Sequence, residues 1–363
     1  MKVGILSMQR VANYGSFLQA YALKKTIESL GHQCEFIDIE QGRIFPELKR
    51  TPYYLLRKAT DKFLKHDFIT RLRYARELQS RFRNEFFGIL EVDKHTIERF
   101  DTAVIGSDEV FNFAQHSPWG YTSQLYGRVK NADNVISYAG SFGHTTWDDI
   151  CRYGVGDDIA DSLRNMSAIS VRDENSSGIV ERLIHTVPQK HVDPVLMFDF
   201  SLYYTPCEEK DYLVVYAYPN RIKEKEEITA ITDFAKKHNK KIISVGSYFP
   251  WADKTVVPDP FEVLGYMSRA DFVITDTFHG SVMSLKFNRQ FATLIRSSNR
   301  QKIESLLSQF NLIDRIVSDP QQLETTLLKQ IQYAKINALI DNEAARSIGW
   351  LQANIKGHSG SCE

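Results

Sequence analysis

The sequence predicts an α/β protein with two domains, each built on its own parallel sheet. At 363 residues the chain is about twice as long as a common domain, which favours two domains over one. Short runs that are apolar on both faces alternate with helical patterns, as in parallel sheets covered by helices. With 43% hydrophobic and 25% charged residues, the composition is that of a folded globular chain.

The strand candidates are nine short apolar runs. In chain order they are KVGILS, CEFIDI, TAVIGS, NVISYAG, AISVRD, YLVVYAY, KIISVG, DFVIT and FATLI. Helical patterns lie between them: SFLQAYALKKTIESLG ends at Gly31, and RIKEKEEITAITDFAKKHN ends at Asn239. A polar connection with proline, DPVLMFDFSLYYTPCEEK, separates two series of strands. We therefore place the N-terminal α/β domain at residues 1–200 and the C-terminal α/β domain at residues 201–330.

A basic helical insertion is predicted at residues 57–90 of the N-terminal domain. Lys and Arg recur at helical spacing over residues 57–83 and are interleaved with apolar side chains. Such a helix can lie on an anionic membrane, or it can pack on the protein with its basic face in water. The first alternative implies peripheral contact at the inner face of the membrane.

Charge and cysteine spacing exclude several classes of protein. Lys plus Arg and Asp plus Glu both total 45, so no global charge draws the chain to nucleic acid. The cysteines have no CxxC spacing, which predicts free thiols in a reducing compartment rather than a disulfide or zinc framework. They are Cys34, Cys151, Cys207 and Cys362. Because no 18 apolar residues follow one another and MKVGILSM is too short for a signal peptide, we expect a cytoplasmic protein.

Polar residues follow five of the predicted strands, where open α/β sheets bind their ligands. The first group stands at the start of a helix whose free N–H groups could hold an anion. No G-x-G-x-x-G motif occurs there, so a nicotinamide cofactor gets no support. The five groups are Asn13-Tyr14-Gly15-Ser16, Ser107-Asp108-Glu109, Ser141-Phe142-Gly143-His144, Arg172-Asp173-Glu174, and Asp276 to Ser281 with His279 among them.

Each of these groups also has a purely structural interpretation. The aspartates Asp108, Asp173 and Asp276 are candidates for helix N-caps, where a side-chain oxygen accepts a backbone N–H. Arg172 could pair with Glu174 or another neighbour. His279 could be a structural histidine. Together, however, the five groups would lie at the ligand-binding edges of the sheets.

Six blocks of the sequence resemble the polysaccharide pyruvyl transferase family in their order and spacing. They are NYGSFLQAYAL, VIGSDEVFN, SYAGSFG, ISVRDENS, HVDPVL and ADFVITDTFHGSVMSLKFN, and they extend over nearly the whole chain. Members of that family transfer a pyruvyl group from phosphoenolpyruvate to a sugar, usually as a cyclic ketal on two hydroxyls. The resemblance implies two Rossmann-like domains in a GT-B-like arrangement, with the active site in the inter-domain cleft. Residues 331–363 would then form a C-terminal helix returning toward the N-terminal domain, followed by a disordered tail.

The resemblance also implies substrates and site residues. The donor is phosphoenolpyruvate, the acceptor is a sugar or a lipid-linked oligosaccharide, and neither a cofactor nor a metal is expected. The family's Arg in its block implies that Arg172 binds the anionic donor, which suits a planar guanidinium. His279 is predicted to be the general acid, and Asp108 to take a hydroxyl proton. The predicted donor contacts are Thr277, Gly280 and Ser281, and the predicted acceptor or cleft contacts are Asn13, Tyr14, Gly15 and Ser141.

Two other functions fit the same pattern. A glycosyltransferase of GT-B type would also place a histidine and a helix N-terminus beside the diphosphate of a nucleotide sugar. A non-catalytic binding protein could use the same fold.

Overall fold

The computed structural model describes residues 1–45, 67–115 and 117–356. Two predictions therefore fall wholly or partly outside the described residues. These are residues 57–66 of the basic insertion and the disordered tail at 358–363, which includes Cys362. The other three cysteines are free thiols.

The described chain divides into two compact units. Residues 1–45, 87–198 and 340–356 form the first unit, and residues 67–86 and 199–339 form the second. Part of the insertion predicted for the N-terminal domain thus clusters with the second unit. No helix among the described residues combines the length and the apolar character that crossing a membrane requires.

Strands and helices alternate along the chain. The strands are β1 (Lys2–Leu6), β2 (Gln33–Phe36), β3 (Phe100–Asp108), β4 (Ala132–Gly140), β5 (Ala168–Val171), β6 (Gln189–Lys190), β7 (Tyr212–Tyr216), β8 (Lys241–Val245), β9 (Lys254–Val256), β10 (Phe272–Thr275), β11 (Gln290–Leu294) and β12 (Ile316–Val317). The helices are α1 (Tyr14–Ser29), α2 (Phe68–Arg81), α3 (Phe87–Leu90), α4 (Trp147–Tyr153), α5 (Gly156–Leu163), α6 (Glu174–Ile184), α7 (Pro194–Met197), α8 (Lys225–Lys237), α9 (Pro260–Arg269), α10 (Phe278–Lys286), α11 (Arg300–Gln309), α12 (Leu323–Leu328) and α13 (Tyr333–Asn354). A π-helical turn at Phe82–Phe86 joins α2 to α3.

The first unit is built on a six-stranded sheet with the strand order β2-β1-β3-β4-β5-β6. All of its pairings are parallel. Its strands therefore end along one side, which we call the carboxyl edge. The sheet is covered by an apolar core in which Phe111 stacks on Tyr126 and tilts against Phe142, with ring centroids 5.5 and 5.3 Å apart.

The second unit repeats this plan with the strand order β12-β11-β10-β7-β8-β9, again with parallel pairings. Strand β10 ends on the fully buried Thr275, whose register partner on β7 is Tyr216. The chain therefore leaves β7 and β10 at the same level of the sheet. The core beneath includes Leu213, Ile231 and Ile274.

Helix α2 lies along the carboxyl edge of the second sheet. Arg71 Nη1 donates to Asn220 Oδ1 after β7, at 3.1 Å, and the Tyr74 ring stacks on Tyr248 after β8, at 5.4 Å. Arg81 donates to the carbonyl of Val257, directly after β9. These contacts show a helix packed on the protein. Its outer face is solvated and carries Arg73 and Arg76 beside Glu77, and lipid contact through this face stays a prediction.

The C-terminal half of α13 packs on the first sheet. His191 Nδ1 lies 3.0 Å from Ser347 Oγ, and the Trp350 ring lies against Tyr138 and His191. Farther along, the carbonyl of Asn354 accepts from Asn134 Nδ2 at 3.3 Å. Because Ser347 and Leu351 are fully buried, this part of the helix belongs to the core of the first unit.

Candidate active site

Arg172 lies directly after β5, between two carboxylates at the carboxyl edge of the first sheet. Its Nη1 donates to Asp193 Oδ2 at 3.0 Å, and its Nη2 lies 3.6 Å from Asp108 Oδ1. The side chains of Arg172 and Asp193 are 3% and 0% exposed. We call Asp108, Arg172 and Asp193 the Arg172 cluster. The structural alternative for Arg172 was a pairing with Glu174 or with another neighbour, and the second is confirmed, since Arg172 pairs with Asp193 while Glu174 pairs with Lys190.

The Arg172 cluster holds a charged guanidinium inside the protein. Burial lowers the pKa of Arg172, but the nearby carboxylates, Asp108 before Asp193, together raise it above its ordinary value. A buried guanidinium with carboxylates on both sides is fixed in place and always protonated. The cluster can thus hold a fixed positive charge at the sheet edge, although two acidic side chains lie next to that charge.

Asp108 ends β3 in an uncommon backbone conformation. Its φ is 77°, in a region that residues with side chains rarely adopt and that recurs at functional sites. Its Oδ2 accepts from Ser16 Oγ at 2.8 Å, while Oδ1 faces Arg172. Asp108 is therefore not a helix N-cap. Its carboxylate instead links the start of α1 to the Arg172 cluster.

The start of α1 does not offer all its N–H groups to a ligand. Asn13 caps the helix: its Oδ1 accepts from the N–H of Gly15 at 2.8 Å and from that of Ser16 at 3.3 Å. The expectation that free N–H groups at this helix start hold an anion is wrong for these two residues. Tyr14 is buried, with 3% of its surface exposed.

Ser141 follows β4 and is held inside the same edge. Its hydroxyl donates to Asp173 Oδ2 at 2.5 Å and accepts from the N–H of Gly143 at 2.9 Å. Asp173 also caps α6, because its Oδ1 accepts the N–H of Ser176. Of the three aspartates that were candidates for helix N-caps, Asp173 is therefore confirmed. Gly143 needs its missing side chain, because its φ is +57° and a Cβ would come within 2.5 Å of Glu109 and Asn112. Ser141 thus shapes the turn after β4.

A second polar group lies next to this turn. Asn112 Nδ2 donates to Glu109 Oε2 at 2.6 Å and lies 3.1 Å from Nδ1 of the exposed His144, while its Oδ1 accepts from Thr145 Oγ1 at 2.8 Å. Of these side chains, the exposed His144 and the partly buried Glu109 present imidazole and carboxylate groups beside the Arg172 cluster. Such groups suit the hydroxyls of a sugar.

The turn from β10 into α10 carries the second group of predicted site residues. Thr277 caps α10 by accepting the N–H of Gly280 at 2.9 Å, and Ser281 Oγ lies within hydrogen-bonding distance of Thr277 O and Thr293 Oγ1. Thr277, not Asp276, is therefore the N-cap. The N–H of Gly280 and the hydroxyl of Ser281 are already used inside the protein, so their predicted donor contacts require a change in these bonds.

The turn into α10 leaves no room for a side chain at Gly280. A Cβ at this position would lie 2.1 Å from Thr275 Oγ1 and 2.8 Å from Thr277 Oγ1. Thr275 Oγ1 is itself fixed, because it donates to the carbonyl of Tyr216 at 2.6 Å. The glycine after His279 therefore lets α10 start close to the end of β10.

His279 lies in the first turn of α10 and is 8% exposed. Its ring meets the Phe278 ring edge to face, with centroids 5.4 Å apart. Only a small part of the imidazole can reach a substrate. Its role as the general acid stays a prediction.

Charged side chains that the sequence analysis did not select lie around Asp276 at this turn. Asp276 is fully buried and Arg221, which follows β7, lies near it. Arg296, after β11, forms two hydrogen bonds to Glu227 at 2.5 and 2.9 Å. Only Asp276 carried a signal in the sequence, since it follows an apolar run. The others come together through the strand order, which a single sequence does not reveal.

Neither edge has the geometry of a metal site: within the described ranges no group of three or more His, Cys, Asp and Glu side chains is placed to hold an ion. Both edges carry amide, hydroxyl and guanidinium groups together with carboxylates. These groups bind anions and sugar hydroxyls.

Comparison with solved structures shows the fold. Arabidopsis thaliana UGT89C1 complexed with quercetin is similar at 11% identity, over 98% of this chain and 99% of that chain, with a TM-score of 0.50. A protein assigned as a UDP-N-acetylglucosamine 2-epimerase from Listeria monocytogenes is similar at 10% identity, over 97% and 95% of the two chains, with a TM-score of 0.50. With the two parallel sheets, these likenesses confirm the predicted fold of two Rossmann-like domains of GT-B-like type.

Sequence comparison shows the family. No curated protein matches the chain. The family profile described as polysaccharide pyruvyl transferase matches residues 13–298. That range extends from the N-cap of α1 to the loop after β11 and contains both the Arg172 cluster and the turn into α10. Because the match covers most of the chain, this protein belongs to the polysaccharide pyruvyl transferase family, a family of transferases.

Proposed function

We propose that this protein transfers a pyruvyl group from phosphoenolpyruvate to a sugar of a polysaccharide or of a lipid-linked oligosaccharide. Two C–O bonds form at C2 of the donor, C3 gains a proton, and the bond from C2 to the phosphate oxygen breaks. The two hydroxyls lose their protons, one of which balances the proton gained at C3, while the other leaves with phosphate. The observation that carries the proposal is the family match over residues 13–298, which includes Arg172 and His279.

Arg172 would bind the donor's anionic groups. Asp193 fixes one edge of the guanidinium at 3.0 Å, whereas Asp108, at 3.6 Å, lies beyond hydrogen-bonding distance. A donor carboxylate would therefore displace Asp108 from the guanidinium more easily than it would displace Asp193. Asp108 would then be close enough to the donor to take the proton of the attacking hydroxyl.

His279 would act as the general acid. An imidazole is the side chain whose proton is exchanged most readily near neutral pH. Its small exposed fraction limits access to water, which favours proton transfer to a bound substrate over loss to solvent. Glu109 and His144 would contact the acceptor, and a contact from Ser141 would require a change in its present hydrogen bonds.

A nucleotide sugar is the competing ligand, because one structural neighbour is named for a UDP-sugar. The test is calorimetric titration of the purified protein with phosphoenolpyruvate and with UDP-N-acetylglucosamine, followed by incubation with a panel of glycosides. We expect binding of phosphoenolpyruvate, release of phosphate, and a glycoside product heavier by one pyruvate ketal in mass spectrometry. Binding and turnover of the nucleotide sugar alone would overturn the proposal.

A further inference from the structure

A stretched ion pair lies at the carboxyl edge of the second sheet. Arg221 Nη1 is 3.6 Å from Asp276 Oδ2, which is longer than a hydrogen bond. Both atoms are buried, and neither has a hydrogen-bond partner among the described residues. Buried polar atoms are rarely left without partners, so this pair needs an explanation.

Asp276 is held rigidly in spite of this gap. Its Oδ1 accepts from the N–H of Tyr218 at 3.0 Å, and its carbonyl accepts from Asn299 Nδ2 at 2.6 Å. Burial raises the pKa of Asp276, although Arg221 acts in the opposite direction. Burial of this carboxyl group costs free energy, and the protein nevertheless holds it at a fixed position behind Arg221.

Arg221 is more open to a ligand than the nearby Arg296 is. Its neighbour Arg296 is bound by both oxygens of Glu227. Arg221, by contrast, is 32% exposed on its side chain and stacks over the Tyr218 ring, 4.6 Å from the centroid. A stacked guanidinium keeps its edge available for a planar or tetrahedral anion.

The loop that carries Arg221 is fastened on its other side. Arg71 of α2 donates to Asn220, the residue before Arg221, and Arg71 also lies over the Tyr248 ring at 5.8 Å. The register of Tyr216 with Thr275 brings this loop level with the start of α10. Arg221 therefore stands beside a helix N-terminus, where anions are stabilised.

We propose that Arg221 binds a phosphate group at this edge and that Asp276 is its positioning residue. The phosphate would belong to phosphoenolpyruvate or to a nucleoside diphosphate. Naming phosphoenolpyruvate rests on the proposed function, whereas the phosphate site itself does not. The stretched pair would leave Arg221 oriented by Asp276 without being neutralised by a close contact.

The test is calorimetric titration with three probes: inorganic phosphate, phosphoenolpyruvate and UDP. The variants are Arg221→Gln, Asp276→Asn and the double variant. Arg300→Gln is the matched control, because it removes the same charge from an exposed arginine paired with Glu304. We expect Arg221→Gln to weaken binding of the active probe by about tenfold or more, and Arg300→Gln to bind as the wild type does.

The positioning role of Asp276 is tested separately, with Asp276→Asn and the double variant. Asp276→Asn should weaken binding by roughly threefold to tenfold with an unchanged melting temperature, and should cost nothing further once Arg221 is Gln. Losses that add in the double variant would overturn the positioning role. Wild-type affinity in Arg221→Gln, or no binding of any probe to the wild type, would overturn the phosphate site. Binding of UDP but not phosphoenolpyruvate through Arg221 supports the site and contradicts pyruvyl transfer.

Discussion

Arg172 Nη1 lies 3.0 Å from Asp193 Oδ2, and these two side chains are almost completely withdrawn from water. The pair joins the segments that follow β5 and β6, and Asp193 also caps α7 by accepting the N–H of Val195 at 3.0 Å. A buried ion pair adds little net stability, but removal of one partner leaves a charge without compensation. The pair therefore fixes the guanidinium at the sheet edge and makes that edge sensitive to substitution.

Asp193→Asn should be strongly destabilising. The amide can still cap α7 but cannot balance Arg172, so we expect the free energy of unfolding to fall by about 3 kcal/mol, measured by urea denaturation. The control is Asp161→Asn, which breaks an exposed pair with Arg164 and should cost less than about 1 kcal/mol. Equal losses of unfolding free energy in the two variants would show that the buried pair with Arg172 matters no more for stability than an exposed pair.

Arg172→Lys should separate charge from geometry. Lysine keeps the positive charge but cannot form the planar fork, so we expect phosphoenolpyruvate affinity to fall about tenfold or more. Since a lysine can still pair with Asp193, the loss of stability should be smaller than for Asp193→Asn. Unchanged affinity in calorimetry would remove Arg172 from the donor site.

His279→Gln should lower turnover by roughly 10²-fold to 10⁴-fold while the melting temperature changes little, because glutamine keeps polar contacts but has no transferable proton. A structural histidine predicts the reverse. The variant would then melt early, with a loss of about 1 to 3 kcal/mol from an unpaired partner, and would turn over normally while folded. Phosphate release and thermal melting of the same sample distinguish these outcomes.

Gly280→Ala should destabilise the turn into α10. The added Cβ would meet the fixed hydroxyl of Thr275 at 2.1 Å, and overpacking of this kind costs about 1 to 3 kcal/mol. Gly178→Ala in α6 is the matched control, because nothing lies within 4 Å of its added Cβ. There, alanine should be neutral or stabilise by up to about 1 kcal/mol, since it favours a helix over glycine. If both alanines stabilise, the close approach at Gly280 is not real.

The strands that could be predicted are those buried on both faces, because they form continuous apolar runs. All nine candidates are strands, from β1 through β11. β6, β9 and β12 were missed because two or three residues at a sheet's edge or end carry no periodicity. The glycine and asparagine ends of α1 and α8 were predictable for a local reason, since Gly31 and Asn239 adopt positive φ.

The site could be predicted only as a set of positions. Residues after strands were identified because ligands bind there, but their partners depend on strand order. Asp193 lay in a recognised turn, HVDPVL, and yet nothing in that turn indicates Arg172 as its partner. Asp276 and Thr277 are both residue types that can cap a helix, so the sequence alone does not distinguish them, and the structure gives the cap to Thr277.

His191 should make folding sensitive to acid. Burial, with Arg346 adding to the effect, lowers the pKa of His191 to about 4. In the unfolded chain a histidine has a pKa of about 6.5, so between these values the unfolded chain binds a proton that the folded protein excludes. Proton binding at His191 should therefore leave the free energy of unfolding unchanged above about pH 6.5 and lower it increasingly as the pH falls toward 4.

His191→Asn tests this expectation in thermal melts between pH 7.5 and pH 4.5. Asparagine can keep a hydrogen bond to Ser347, where His191 Nδ1 lies 3.0 Å from the hydroxyl, but it does not titrate. Each unit of pKa difference is worth about 1.4 kcal/mol, so the wild type should lose more stability on acidification than the variant does. The control is His185→Asn, at an exposed position with φ of 55° that asparagine tolerates. That variant should follow the wild-type pH profile. If His191→Asn also follows it, proton binding at His191 does not contribute to unfolding by acid.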